Sequence, residues 1–150
     1  MDTSSEYFRA GVGALIRRAD GRLLAFARAA GEAVEWQLPQ GGLLPGESAR
    51  GAVYREILEE TAITAGSLAL VGEADDWIGY ELPAPYRSSR TGRGQVQKWF
   101  LFDFRGTDQD IRPDNVEFKE WRWMRPAELL PVTVSFRRPV YESLFKQFAL

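Results

Sequence analysis

The sequence predicts an α+β fold, and three observations carry that expectation. Strand-like segments lie on both sides of one long helix-periodic segment. That segment, residues 48–61, follows a Pro45-Gly46 start signal. Residues 136–148 place Val140, Tyr141, Leu144, Phe145 and Phe148 on one face of a closing helix. Strands around one helix, with a second helix at the end, suggest a mixed sheet between helices.

Taken in order, residues 8–16 (FRAGVGALI) read as a first strand, Asp20-Gly21 as a turn and residues 22–28 (RLLAFAR) as a second strand. Residues 31–35 read as a loop. Residues 36–39 (WQLP) form a short strand that leads into Gln40-Gly41-Gly42, then the helix. Residues 67–73 and 76–82 are further strands, and residues 83–94 (PAPYRSSRTGRG) are loop by composition. Residues 96–104 (VQKWFLFDF) read as a central strand and residues 109–115 as a polar connection. Residues 117–124 (EFKEWRWM) alternate, with Trp121 and Trp123 expected to pack on a sheet, and residues 126–130 fit one helical turn.

Composition narrows the chemistry. At 150 residues the chain is expected to form one domain with a substantial core. A net charge of −2 gives no basic field for coating DNA, so no DNA partner is expected. There is no Cys, hence no thiol nucleophile, disulfide or zinc–thiolate site. There is no His, so a general base must be a carboxylate, Lys, Tyr or metal-bound hydroxide. The opening MDTSSEYFRAG is polar and resembles no signal or transit peptide, and no apolar run approaches the roughly 20 residues of a membrane span. A reducing cytoplasm fits these features.

The most unusual stretch is residues 41–63, GGLLPGESARGAVYREILEETAI. On a helix, Glu56, Glu59 and Glu60 fall within an arc of roughly 100°, and Val53, Ile57 and Leu58 occupy the next arc, which can face a core. Like charges at these spacings destabilise a helix by about 0.2–0.5 kcal/mol per pair. With Arg55 read as pointing aside, a divalent ion would relieve the repulsion, and carboxylates suit hard ions such as Mg²⁺. A solvated acidic face explains the cluster equally well at this level. Residues 83–98 add Arg87, Arg90, Arg93 and Lys98, with no acid between Glu81 and Asp103. Two readings stay open for this patch: a solvated loop, or a cationic flap over a polyphosphate.

The spacing Gly41-x5-Glu47-x7-Arg55-Glu56-Ile57-Leu58-Glu59-Glu60-Thr61-Ala62-Ile63 resembles the Nudix box, Gly-x5-Glu-x7-Arg-Glu-(aliphatic)-x-Glu-Glu-x-Gly-(aliphatic). Ala62 departs from it, standing where the family has a Gly suited to a left-handed helix end. The resemblance extends over residues 8–148: Phe8-Arg9, WQLPQGG at 36–42, QKWF at 97–100, Glu117-Phe118 with Trp121-Arg122-Trp123, and VSFRR at 134–138. These look like the subgroup of bacterial RNA pyrophosphohydrolases, which is similar to the asymmetric dinucleoside polyphosphate hydrolases.

The resemblance implies a single Nudix domain over residues 1–150, an α/β/α sandwich with a central mixed sheet and a strand–loop–helix motif. It implies Glu56, Glu59, Glu60 and Glu117 as metal ligands with the Gly41 carbonyl, and Mg²⁺ as the cofactor, Mn²⁺ being a substitute. Glu56, Glu60 and Glu117 are candidates for the group that orients or deprotonates water. Arg9, Arg28 and Lys98 would approach phosphates, and Gln40 would orient substrate or cap the turn. Phe136 would stack on a base beside Ser135 and Arg137, or open a core helix. Glu47 and Arg55 are expected to form a structural ion pair. The implied substrate is a 5′-phosphorylated RNA end, cut to a monophosphate, or alternatively a nucleoside polyphosphate such as diadenosine tetraphosphate. A non-catalytic nucleotide or RNA-end binding module is the reading from another class. The sequence does not define the oligomeric state.

Overall fold

A computed structural model describes residues 7–30, 33–114 and 118–150. Its strands are β1 (Phe8–Arg17), β2 (Leu23–Ala30), β3 (Ala33–Gln37), β4 (Gln40–Gly42), β5 (Leu68–Glu73), β6 (Ile78–Glu81), β7 (Gly94–Phe104) and β8 (Glu120–Met124). Its helices are α1 (Ala49–Thr61), the single turn α2 (Pro126–Leu129) and α3 (Arg138–Gln147). The main path of the sheet runs β3-β2-β1-β7-β5, with β4 on β1, β6 on β7 and β8 on β2. β1 and β7 pair in parallel from Phe8↔Gly94 to Arg17↔Asp103, and the other pairings are antiparallel. The sheet is therefore mixed, as expected.

The two faces of the sheet build two cores. Val12, Ala14 and Ile16 of β1, with Leu24, Phe26, Phe100 and Phe102, pack beneath Ala52, Val53 and Ile57 of α1. On the other face, Leu15, Ala25, Trp99 and Leu101 meet Val140, Tyr141, Leu144 and Phe145 of α3. Central strands buried on both faces must be apolar at every position, which is why residues 12–16 and 99–102 lack polar alternation. The result is a helix–sheet–helix sandwich.

Three local expectations change. Residues 33–35 belong to β3, because their backbone completes the edge of β2 from Phe26↔Gln37 to Ala30↔Ala33. Leu58 is 51% exposed, since its turn of the helix carries it beyond the arc that Val53 and Ile57 bury. Ala62 takes the left-handed conformation itself (φ 65°), and its N–H donates to the Leu58 carbonyl. The helix thus ends as it would with Gly, while Ser48 caps its start by accepting from the Gly51 N–H at 3.0 Å.

Two tests follow from the packing. A left-handed residue with a Cβ is penalised by roughly 1–2 kcal/mol, partly offset because Gly is freer when unfolded. Ala62→Gly is expected to stabilise the protein by about 0.5–1 kcal/mol in chemical denaturation. The fully buried Tyr141 hydroxyl accepts from the Leu38 N–H at 2.9 Å and so fixes α3 to the segment before β4. Tyr141→Phe leaves that donor unpaired and should cost about 1–3 kcal/mol. Burial also pushes the Tyr141 hydroxyl up to about 12. The unfolded chain therefore loses this proton first, and wild-type stability falls as pH rises from 10 towards 12. That alkaline component should vanish in Tyr141→Phe.

Candidate active-site cleft

The start of β1, β4 and the flank of α1 enclose a cleft of about 450 Å³. Glu56, Glu59 and Glu60 form one wall. Gln40, Gly41 and Gly42 form the floor beside Arg9, and Arg28 and Gln37 border it from β2 and β3. Ser88, Arg90 and Thr91 of the basic loop, with Gln95 of β7, complete the lining. The fold has thus carried the acids of one helix to the edge of a central strand whose first residues include an arginine.

Arg55 organises the acidic wall. Its Nε donates to Glu47 Oε2 at 2.7 Å and its Nη2 to Glu47 Oε1 at 2.9 Å, the fork geometry that makes Arg–carboxylate pairs strong. The same Nη2 donates to the Gly42 carbonyl at 2.8 Å. Its Nη1 reaches Glu56 Oε1 at 2.8 Å and Glu59 Oε2 at 3.2 Å. The expected ion pair with Glu47 is present, but Arg55 does not point aside: it also lies between two of the acids and offsets their repulsion. Hydrogen bonds from Arg55, aided by the Leu44 N–H, hold the Glu47 carboxyl down at about 2, while the Arg55 guanidinium is raised chiefly by Glu47.

The donor set suits a hard cation. A Cβ at Gly41 would stand 2.0–2.4 Å from the Glu56 carboxyl group, so any larger residue would push that carboxylate off the β4 backbone. The buried Glu60 accepts from the Gln40 N–H at 3.3 Å, which draws its Oε2 towards β4. Carboxylate and carbonyl oxygens at one rim are the ligands Mg²⁺ or Mn²⁺ take when a phosphate completes the shell. Among the described residues no three acids are close enough to hold an ion by themselves. Glu117, expected as a further ligand and base candidate, lies outside the described residues.

The residues expected to approach phosphates divide. Arg9 lies against the Gly42 backbone, where a Cβ would meet its Nη2 at 2.1 Å, and it lines the cleft with Arg28 and Arg90. Lys98 is placed elsewhere: its Nζ donates to the carbonyls of Ala74 and Asp75 and it does not line the cleft. The basic loop is less free than its composition suggests. Arg93 pairs with Glu81 at 2.9 Å, and Arg87 donates to the Leu82 carbonyl at 2.7 Å. Arg90 remains at the tip of a turn closed by Ser88 and Thr91.

Phe136 sits outside the cleft lining. Its ring stacks on Tyr80 at 5.9 Å and meets the edge of Tyr86 at 5.0 Å. Arg137 is buried rather than facing solvent: it lies over the Tyr80 and Phe136 rings and donates to Gln37 Oε1 at 3.2 Å. Ser135 is exposed beside them. Gln95, Gln97 and Tyr80 were not singled out as site residues from the sequence, whereas Arg90, read as part of a candidate cationic flap, does line the cleft. The signal for the glutamines was legible: two amides alternate at the start of a strand that turns apolar from Trp99 to Phe102.

The chain is 39% identical to the RNA pyrophosphohydrolase of Dinoroseobacter shibae, an alignment covering 99% of this chain and 96% of that one. It is 38% identical to the RNA pyrophosphohydrolase of Rickettsia bellii, across 94% of this chain and 89% of the relative. Among solved structures, the E. coli dihydroneopterin triphosphate pyrophosphohydrolase superposes with a TM-score of 0.75 over 97% of this chain and 100% of that chain. Its identity of 21% makes this a likeness of fold alone. The NUDIX domain model matches residues 7–144, and with an acidic helix clamped beside a glycine floor, a cationic rim and the helix–sheet–helix sandwich, the chain belongs to the Nudix family.

Proposed function

We propose that this Nudix hydrolase removes pyrophosphate from the 5′-triphosphate end of RNA, or phosphate from a 5′-diphosphate end, and leaves a monophosphate. The observation that carries this reading is the convergence of Glu56, Glu59 and Glu60 with Arg9, Arg28 and Arg90 in one cleft. A polyanion repels hydroxide, so its hydrolysis needs charge neutralisation and a positioned water together. Nudix hydrolases act with a divalent metal, and we assign Mg²⁺, or Mn²⁺ in its place, to Glu56, Glu59, Glu60, Glu117 and the Gly41 carbonyl. Such an ion supplies neutralisation of phosphate oxygens and an acidified water.

The chain's own groups do the rest. Arg9 and Arg28 hold phosphate oxygens in the fork geometry of guanidinium, and Glu56, Glu60 or Glu117 takes the proton of the attacking water. The Phe136 ring and its neighbour Tyr86 offer an aromatic shelf beside the cleft for the first base. The names of the relatives from Dinoroseobacter shibae and Rickettsia bellii support RNA as the substrate. The reading places the enzyme in the cytoplasm; among the described residues no helix is long and apolar enough to cross a membrane. A dinucleoside polyphosphate is the second reading, favoured by the same shelf, which accepts any base.

Product analysis on end-labelled triphosphorylated RNA with Mg²⁺ tests this directly, with diadenosine tetraphosphate as competitor. RNA is expected to show the higher kcat/KM; a preference for the dinucleotide would select the second reading. Glu56→Gln or Glu60→Gln should lower kcat by about 10³-fold or more with the fold retained by circular dichroism. Near-normal turnover at saturating Mg²⁺ would reject the assignment. A second test concerns the clamp. Because the Glu47 carboxyl is depressed to about 2, its contribution to stability is complete above its ordinary value near 4.5 and lost as pH falls towards 2. Glu47→Gln should flatten that acid limb of the stability profile.

A further inference from the structure

The floor of the cleft contains a chain of side-chain amides whose polarity can be worked out. Gln97 is 1% exposed. Its Nε2 donates to Gln40 Oε1 at 3.1 Å and to Gln95 Oε1 at 3.0 Å, so both of its N–H groups are engaged. Its own Oε1 is buried with no partner among the described residues. Gln95 Oε1 accepts a second bond, from the Tyr80 hydroxyl at 3.0 Å. The Gln40 backbone N–H, in turn, donates to the catalytic-wall acid Glu60.

This arrangement has one sense. With the Gln97 amide reversed, its oxygen would face two oxygens, and two N–H groups rather than one acceptor would be stranded in the interior. Both neighbours therefore offer their oxygens inward. Gln40 and Gln95 line the cleft, and their NH2 groups make no hydrogen bond among the described residues, so the inward bonds leave those groups directed at the cleft.

We propose that Gln97 is a positioning residue that locks Gln40 and Gln95 with their NH2 groups outward, where they donate to non-bridging phosphate oxygens of the bound polyphosphate. The inference rests on the reading of the cleft given under Proposed function. Phosphate oxygens are acceptors only, so a fixed donor recognises them where a freely turning amide would offer oxygen half the time. Neutral donors also add contacts without adding charge beside Arg9, Arg28 and the acid wall. Holding a buried acceptor unpaired is unfavourable, and the directed donors are what that arrangement provides. The Tyr80 hydroxyl extends the chain to the ring that stacks on Phe136, so phosphate donors and aromatic shelf share one frame.

Gln97→Leu keeps the volume and removes the lock together with the unpaired oxygen. With triphosphorylated dinucleotide RNA and Mg²⁺, kcat/KM is expected to fall about 10–100-fold, mainly through KM, while Tm holds or rises. In a Gln40→Leu/Gln95→Leu background, the same change should cost nothing further, because Gln97 acts only through those two amides. Unchanged kcat/KM in Gln97→Leu, or a full loss persisting in that background, overturns the proposal. Should Gln97→Leu fail to fold, the wild-type protein decides by NMR. On addition of an α,β-methylene nucleoside triphosphate with Mg²⁺, the side-chain NH2 resonances of Gln40 and Gln95 should move while those of Gln109 and Gln147 stay. Stationary Gln40 and Gln95 resonances on a saturated protein overturn the proposal. An inactive wild type would instead count against the proposed reaction, and the resonances still report on the amides.

Discussion

The guanidinium of Arg55 is the interaction on which the rest of the site depends. It ties the loop acid Glu47, the β4 carbonyl of Gly42 and the helix acids Glu56 and Glu59 into one unit. A single side chain therefore sets the distance between the floor of the cleft and its acidic wall. Its own position comes from α1, whose Ala52, Val53 and Ile57 are buried against the sheet. Packing of an apolar stripe thus fixes a cation, and the cation fixes the acids. Coulomb attraction alone would not do this, since exposed pairs contribute only about 0–1 kcal/mol. Here the forked geometry and the shared carbonyl give direction as well as attraction.

This clamp changes the electrostatic case for a metal. Three bare acids on one stripe would repel and invite a divalent ion. With Arg55 between two of them, part of that repulsion is already met within the chain. What remains is geometric: the Glu56 acid lies over the Gly41 backbone, and the buried Glu60 is held towards β4. A carboxylate accepts several bonds, so a hydrogen bond from Arg55 does not by itself bar an ion from Glu56 or Glu59. An ion arriving with phosphate oxygens would share these groups with Arg55 and leave it in place.

Much of the fold and part of the site were legible in the sequence. The helix 48–61 and the face of α3 were readable because 3.6-residue periodicity is a strong signal over ten or more residues. Residues 33–35 of the edge strand β3 were not, because their place in the sheet is set by pairing with β2, a tertiary fact. The acids and the Glu47–Arg55 pair were readable because they sit at fixed spacing within one motif. Arg55's further bonds were not, since side-chain direction around a helix depends on what lies over it. Lys98, Arg87 and Arg93 show the same limit in reverse: composition counted cations without seeing the carbonyls and the Glu81 that hold them.

The two faces of the sheet supply different chemistry to one cleft. The α1 face supplies charge, as carboxylates steadied by a guanidinium. The opposite face supplies neutral direction, through Gln95 and Gln97 of β7 and the Tyr80 hydroxyl of β6. A polyanion that carries divalent ions needs both, because the ions want acids and the phosphate oxygens want donors. Were all the donors arginines, they would compete with the proposed ions for Glu56, Glu59 and Glu60. Amides cannot neutralise those acids, so they can stand close by without displacing an ion. The parallel pair β1–β7 is where the two sets meet, with Arg9 opposite Gln95 and Gly11 opposite Gln97 in register. The absence of a side chain at Gly11 lets β4 approach β1 here, since a Cβ would stand 2.6 Å from the Gly41 carbonyl oxygen. This small residue thus admits the glycine floor beside β1, directly opposite the strand position from which Gln97 directs its amides, so charge and direction converge within one strand pair.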